Sequence, residues 1–138
     1  MNRSILVYVG CFSSTKQYAL EMSNRVVLEA FDSKYEELHV MEFPNPACCG
    51  HPIRSIKPEM WLYLACRLLA IAEERGSDLL PICNGCYLSV KEAKTVIDSN
   101  PKYMAKINDL LKEEGLKYTG KTRVYHTIEY FHDVITPN

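Results

Sequence analysis

Asp78-Leu79-Leu80-Pro81-Ile82-Cys83-Asn84-Gly85-Cys86-Tyr87 is the stretch that decides the fold. A short, mostly apolar run bounded by turn residues reads as a buried strand over Asp78–Ile82. It runs straight into Cys83, and a helix from about Cys86 to Ile97 follows, broken by Asn100-Pro101. A strand that ends on a cysteine and hands over to a helix is half of a crossover unit. Two earlier stretches have the same form. Ile5–Val9 is an apolar strand ending at Gly10-Cys11, followed by a helix from about Lys16 to Phe31. Leu38–Phe43 is a second strand, stopped by Pro44 and Pro46, and its loop carries Cys48-Cys49-Gly50.

Outward from these units the pattern stays regular. The helix over Lys16–Phe31 offers Ala19, Met22, Val26, Val27 and Ala30 as an apolar face at three-to-four spacing. Pro58 opens the next helix, at a position where proline is tolerated. That helix runs to about Arg75, stops at Gly76, and carries Trp61, Ala65, Leu68, Leu69 and Ala72 as a core stripe. A further helix spans about Lys102–Glu114 with Gly115 as its cap. Arg123–Tyr125 reads as a fourth strand, and His126–Val134 as a closing helical turn or two. Strands alternating with helices imply right-handed crossovers and a parallel sheet. The expected architecture is α/β: a three-layer Rossmann-like fold, about four parallel strands, helices on both faces, and one domain over 1–138.

Composition bounds the function. The 138 residues are 47% hydrophobic and 24% charged, with net charge −1, a globular composition. Sixteen basic residues face seventeen acidic ones without a long basic run, which speaks against nucleic acid. The apolar run Ile5–Val9 is too short for a signal-peptide core, and no stretch approaches the roughly 18 apolar residues of a membrane span. The expected compartment is the cytoplasm. In a reducing compartment clustered cysteines read as metal ligands or redox groups rather than disulfides.

Five of the six cysteines then form one constellation. In a parallel sheet, sites form outside the carboxyl ends of the strands. Cys11, Cys48/Cys49 and Cys83 all follow strands, and Cys86 completes a CxxC. Cys11 and Cys86 lie near helix N-termini, whose partial positive charge favours the thiolate that binds metal. Neither a lone CxxC nor a vicinal cysteine pair is specific. Together with a cysteine after the first strand they are much more so. Four thiolates satisfy tetrahedral Zn2+ or a cubane cluster. Five leave one spare or point to an unusual cluster. Cys66, mid-helix between Ala65 and Arg67, reads as a packed residue.

The pattern Cys11…Cys48-Cys49-Gly50…Pro81-Ile82-Cys83-Asn84-Gly85-Cys86-Tyr87 resembles the cysteine-rich CCG domain, in the form found in the B-type subunit of heterodisulfide reductase. Tyr8-Val9-Gly10-Cys11, Leu68–Glu73 and Tyr118-Thr119-Gly120-Lys121 add to the likeness, which covers nearly the whole chain. The resemblance implies an oxidoreductase subunit in which Cys11, Cys48, Cys49, Cys83 and Cys86 hold a noncubane [4Fe–4S] cluster. It implies electron transfer to a small disulfide substrate of the coenzyme M–coenzyme B type, fed by an iron–sulfur electron-donor subunit resembling the family's C-type subunit. It also implies a second CCG module or chain, because the family carries two modules where this chain carries one five-cysteine set. The alternative is a Zn2+-binding scaffold module of a redox complex without its own turnover. His51, directly after the CCG, and His126, at the end of the fourth strand, are candidate proton donors at the same sheet edge.

Overall fold

The computed structural model describes residues 3–35 and 38–135; the outermost residues of the 1–138 span lie outside them. The elements are β1 (Arg3–Tyr8), α1 (Gly10–Lys16), α2 (Tyr18–Lys34), β2 (Leu38–Glu42), α3 (Pro58–Glu74), β3 (Asp78–Pro81), α4 (Asn84–Asp98), α5 (Pro101–Leu111) and α6 (Thr127–Tyr130). Short 3-10 turns at His51–Ile53 and Lys112–Glu114 and a π-helical turn at Phe131–Ile135 complete them. The strands form a parallel sheet in the order β2-β1-β3, with Val7 opposite both Glu42 and Leu80. Strand order reverses direction at β1, so the carboxyl end of β1 is the crevice such sheets offer to ligands.

Alternation along the strands separates two cores. Leu6, Tyr8 and Leu79 point to one face, where α3, α4 and α5 supply Leu62, Leu68, Leu69, Val90, Ile97, Ile107 and Leu111. Ile5, Val7, Leu38 and Leu80 point to the other, against Leu28 of α2 and Tyr130 and Ile135 near the chain's end. Helices thus cover both faces, and the three-layer α/β expectation holds.

Two expectations need correction. The sheet has three strands among the described residues, not about four. Arg123–Tyr125 contributes one parallel bridge, Leu79 to Val124, with two backbone hydrogen bonds to Leu79. The reason lies in the flanking backbone, whose donors are already taken by side chains. Thr119 and Lys121 N–H donate to Glu73, Arg123 N–H to Asp78, and His126 N–H to Glu129. Backbone committed to carboxylates in this way does not extend a ladder.

The first expected helix also differs. Helix begins at Gly10, breaks at Gln17 (φ −132°, ψ 57°), and resumes as α2. The expected core face of α2 points outward: Met22 is 58% and Val26 61% exposed, and Ala19, Val27 and Ala30 are exposed with them. The helix instead buries Asn24 and Leu28. Arg25 pairs with Glu21 in its own helix and with Glu42 at the end of β2, which fixes this rotation.

A sulfur-rich rim at the carboxyl edge of the sheet

The site is built by three connections. Gly10 follows β1 with φ +75°, a left-handed backbone that glycine adopts without strain. A Cβ at Gly10 would stand 2.9 Å from Cys86 Sγ and 3.9 Å from Cys83 Cβ. Glycine is therefore what lets the β1–α1 turn approach the CxxC turn. Cys11 follows in the first turn of α1 and is exposed. Cys83 is the N-cap residue of α4, and Cys86 sits buried in that helix's first turn. The CCG segment joins them from the β2–α3 connection. Tyr8 donates its O–H to the Ala47 carbonyl, and its ring stands edge-on to Phe43 at 5.6 Å. A β1 side chain thus holds the loop that presents Cys48 and Cys49.

The CCG itself is locally ordered. Gly50, at φ +81°, donates its N–H to Cys48 Sγ at 3.4 Å. A side chain at Gly50 would press within 3.1 Å of the Trp61 backbone and ring. Cys48 stays exposed while Cys49 is buried.

The thiols are joined by hydrogen bonds. Cys86 donates to Cys49, the His51 backbone N–H also reaches the Cys49 sulfur, and the Ser89 hydroxyl donates to the Cys49 carbonyl at 2.9 Å. These donors, the Cys86 thiol foremost, outweigh burial and bring Cys49 down to about 6. Its partner is pushed far up, first by the shared proton and then by burial. Cys83 is bonded to Cys86 in turn. Burial raises the thiol of Cys48, with only partial relief from the Gly50 N–H. Tyr8, beneath the group, is raised by burial and then by the proximity of Cys86, Cys49, Cys48 and Cys11.

The topology thus gathers all five cysteines about Tyr8 and Gly10. Among the described residues no three His, Cys, Asp or Glu side chains already stand in a metal-holding arrangement. Cys49, Cys86 and Cys83 bond to one another instead. The donor chemistry suits a soft, thiolate-liganded group, since no carboxylate competes within the set. Cys11 and Cys48 line a cavity of about 410 Å3 that opens beside them, shared with Ser14, Glu21, Arg25 and Glu42. Cys66 is buried in the α3 core, and burial pushes its thiol up to about 12. It is a packed residue, as expected.

The histidines differ. A Cβ on Gly85 would lie 3.7 Å from Cys83 Sγ and 4.0 Å from the His51 ring, so His51 flanks the thiols and is exposed. His126 caps α6: its Nδ1 accepts the Ile128 N–H at 3.2 Å, and its Nε2 bonds Asn84 Oδ1 at 2.7 Å. Its ring meets Tyr87 edge-on at 5.2 Å. Nε2 holds the CxxC turn against α6, while Nδ1 caps α6 itself.

Sequence reasoning missed Tyr8 and Ser89. Ser89 was findable: three residues after Cys86 on a helix, it faces the same side. Tyr8 carried no signal, because only the sheet brings its hydroxyl to Ala47.

A three-layer α/β domain with a rim of five thiols is the class this geometry defines. No family model matches the chain. Its sequence relatives include subunits of heterodisulfide reductase. The chain is 30% identical over 133 residues to the B-type subunit of the ferredoxin/F(420)H(2)-dependent CoB-CoM heterodisulfide reductase of Methanosarcina acetivorans, covering 95% of this chain and 43% of that protein. It is 32% identical over 124 residues to a protein of Archaeoglobus profundus described as like the same heterodisulfide reductase subunit, covering 87% of this chain and 39% of that protein. The chain is a homologue of the B-type subunit of heterodisulfide reductase and spans less than half the length of these relatives. A crystal structure of a hypothetical protein from Helicobacter pylori superposes with a TM-score of 0.80 at 19% identity, over 100% of this chain and 27% of that one. That likeness shows the fold. Among the described residues no helix is long and apolar enough to cross a membrane.

Proposed function

We propose that this chain is the iron–sulfur module of a heterodisulfide-reductase-like oxidoreductase, holding a noncubane [4Fe–4S] cluster through Cys11, Cys48, Cys49, Cys83 and Cys86. The observation that carries the reading is the convergence of five thiols from three strand ends around Gly10 and Tyr8. The heterodisulfide reductase relatives support it. When bound, the cluster would supply electrons to a disulfide.

The chain's own residues divide the work. Cys49 and Cys86 are buried and hydrogen-bonded, and anchor the inner side of the group. Cys11 and Cys48 are exposed at the mouth of the 410 Å3 cavity, on the side from which a small disulfide approaches. Reducing a disulfide breaks its S–S bond and makes two thiols, consuming two electrons and two protons. His51, exposed beside Cys83 and Cys49, is placed to deliver a proton to a departing thiolate. His126 holds Asn84 in the CxxC turn. The electrons come from a partner bearing its own iron–sulfur groups. A second CCG module or chain completes the substrate pocket, since the relatives are more than twice this length. The cytoplasm is the compartment in which five free thiols persist.

Protein purified without oxygen tests the reading. Brown protein carrying iron and acid-labile sulfide in near-equal amounts is expected, and Cys11→Ala should lose most of that iron. Colourless protein carrying one zinc would replace the reading with that of a zinc scaffold.

A further inference from the structure

Cys11 and Cys48 open onto a groove whose charge the proposed function leaves unused. The 410 Å3 cavity beside them also takes in Glu21 and Arg25 of α2 and Glu42 at the end of β2. A smaller cavity of about 110 Å3 continues it, sharing Val7, Arg25 and Glu42 and adding Glu29 and Asp32. Four carboxylates thus line the groove against one guanidinium, and the described lining holds no second cation. That guanidinium is already committed. Its Nε and Nη2 donate to Glu21 Oε1 at 3.0 and 2.9 Å, and its Nη1 donates to Glu42 Oε1. The second oxygens of Glu21 and Glu42 have no hydrogen-bond partner among the described residues. The Glu21 side chain is only 18% exposed, so little water reaches it to screen its charge. Val7, Phe43 and Pro46 give the larger cavity an apolar wall.

We infer that this groove selects a disulfide whose arm carries a protonated amine, with Glu21 and Glu42 as the specificity-determining residues and Arg25 holding both in place. Charge decides the sign. Standing alone, Arg25 would bind a sulfonate or a phosphate. Here two carboxylates already take its donors, and a further anion would meet a lining in which carboxylates outnumber the one cation. An ammonium gains from the same field, which a cleft with apolar walls concentrates. It has three N–H donors to offer the unpartnered oxygens of Glu21 and Glu42. The methylenes of the arm rest on Phe43 and Pro46, which brings the S–S bond beside Cys11 and Cys48. Glu29 and Asp32 carry the field farther along the α2–β2 seam, Asp32 with one oxygen given to the Val40 N–H at 2.9 Å. The reduction itself is unchanged: the S–S bond breaks, two electrons and two protons enter, and two thiols leave. This inference rests on the disulfide site proposed above and names its substrate class, but the charge of the groove does not depend on iron.

The test uses two probes that cannot exchange with cysteine. One is hexamethylenediamine, the all-carbon isostere of the diamine disulfide cystamine; the other is the disulfonate of the same length. Each is titrated without oxygen, at low salt, into the isotope-labelled full chain, and the backbone amide signals are followed by NMR. The diamine should move the amides of Glu21, Arg25, Glu42 and Cys48 along one saturating curve, and the disulfonate should leave them in place. Glu42→Gln and Glu29→Gln should each weaken the diamine about 2–5-fold. Glu29 forms no ion pair among the described residues, so its variant decides the matter if Glu42→Gln loosens α2. Raising the salt to about 1 M should erase the difference between the probes. Disulfonate binding at these amides overturns the inference, as does a diamine that moves none of them. Diamine binding to protein that carries no iron as purified would keep the selectivity of the groove and remove the iron–sulfur reading alone.

Discussion

Helices α2 and α3 are both 17 residues long, and each packs on one face of the same sheet. Helix α3 buries Leu62, Ala65, Cys66 and the unbroken run Leu68–Ala72. Helix α2 buries Asn24 and Leu28 and leaves Tyr18, Met22 and Val26 each more than half exposed. The difference is one of neighbours. Helix α3 lies between the sheet, α4 and α5, so it is surrounded and needs no broad polar side. Helix α2 lies at the β2 edge, and its outer stripe is apolar yet exposed. The thiols sort along the same line. Buried Cys49 and Cys86 belong to the α3 core, whereas exposed Cys11 and Cys48 open toward the α2 side.

The largest effect that tests this contrast is expected from Leu69→Ala. Leu69 is 0% exposed in the α3 core, and truncation should cost about 2–5 kcal/mol, read as a lower urea midpoint at an unchanged slope. Next comes Glu73→Ala, also on α3. Glu73 accepts from Thr119 N–H, Thr119 Oγ1 and Lys121 N–H, so its loss frees the segment leading to Val124. A loss of about 1–3 kcal/mol is expected. Faster hydrogen exchange should be confined to residues 119–125.

Cys66 gives a pH-dependent version. Burial raises its thiol from the ordinary 9.0 to about 12, so the folded chain keeps a proton that the unfolded chain loses. The stabilisation is complete below pH 9 and disappears as pH rises from 9 toward 12. At pH 10 about 1.4 kcal/mol of it has gone. Cys66→Ala should flatten the fall in stability above pH 9, measured against wild type in parallel melts. Equal slopes would refute the assignment. The smallest effect belongs to α2: Met22→Glu or Val26→Lys should change stability by less than about 0.5 kcal/mol. A loss of several kcal/mol at either position would mean that the outer stripe of α2 is covered in solution, and the contrast between the two helices would fall.

Most of the layer architecture was legible, because buried strands and amphipathic helices differ in period. The gathering of the five cysteines was legible from position alone, since residues that follow parallel strands share one edge. The rotation of α2 was not. Its sequence carries two apolar stripes, one through Leu28 and Phe31 and one through Met22 and Val26, and periodicity cannot rank them. The Arg25–Glu42 pair, between residues of different elements, does. The false fourth strand has a similar origin: Val124 looks like strand, but Glu73, Asp78 and Glu129 occupy the backbone on either side of it.

Residue order was enough to establish the alternating α/β pattern, the five thiols, and their common edge. Those follow from local periods and from where cysteines fall relative to strand ends, which need no knowledge of distant contacts. Which thiols are buried, which stripe of α2 faces the core, and that Ser89 and Trp61 stand behind Cys49 were settled by the packed fold alone. They depend on side chains tens of residues apart meeting at hydrogen-bond distance, and such a meeting exists only once the layers have come together.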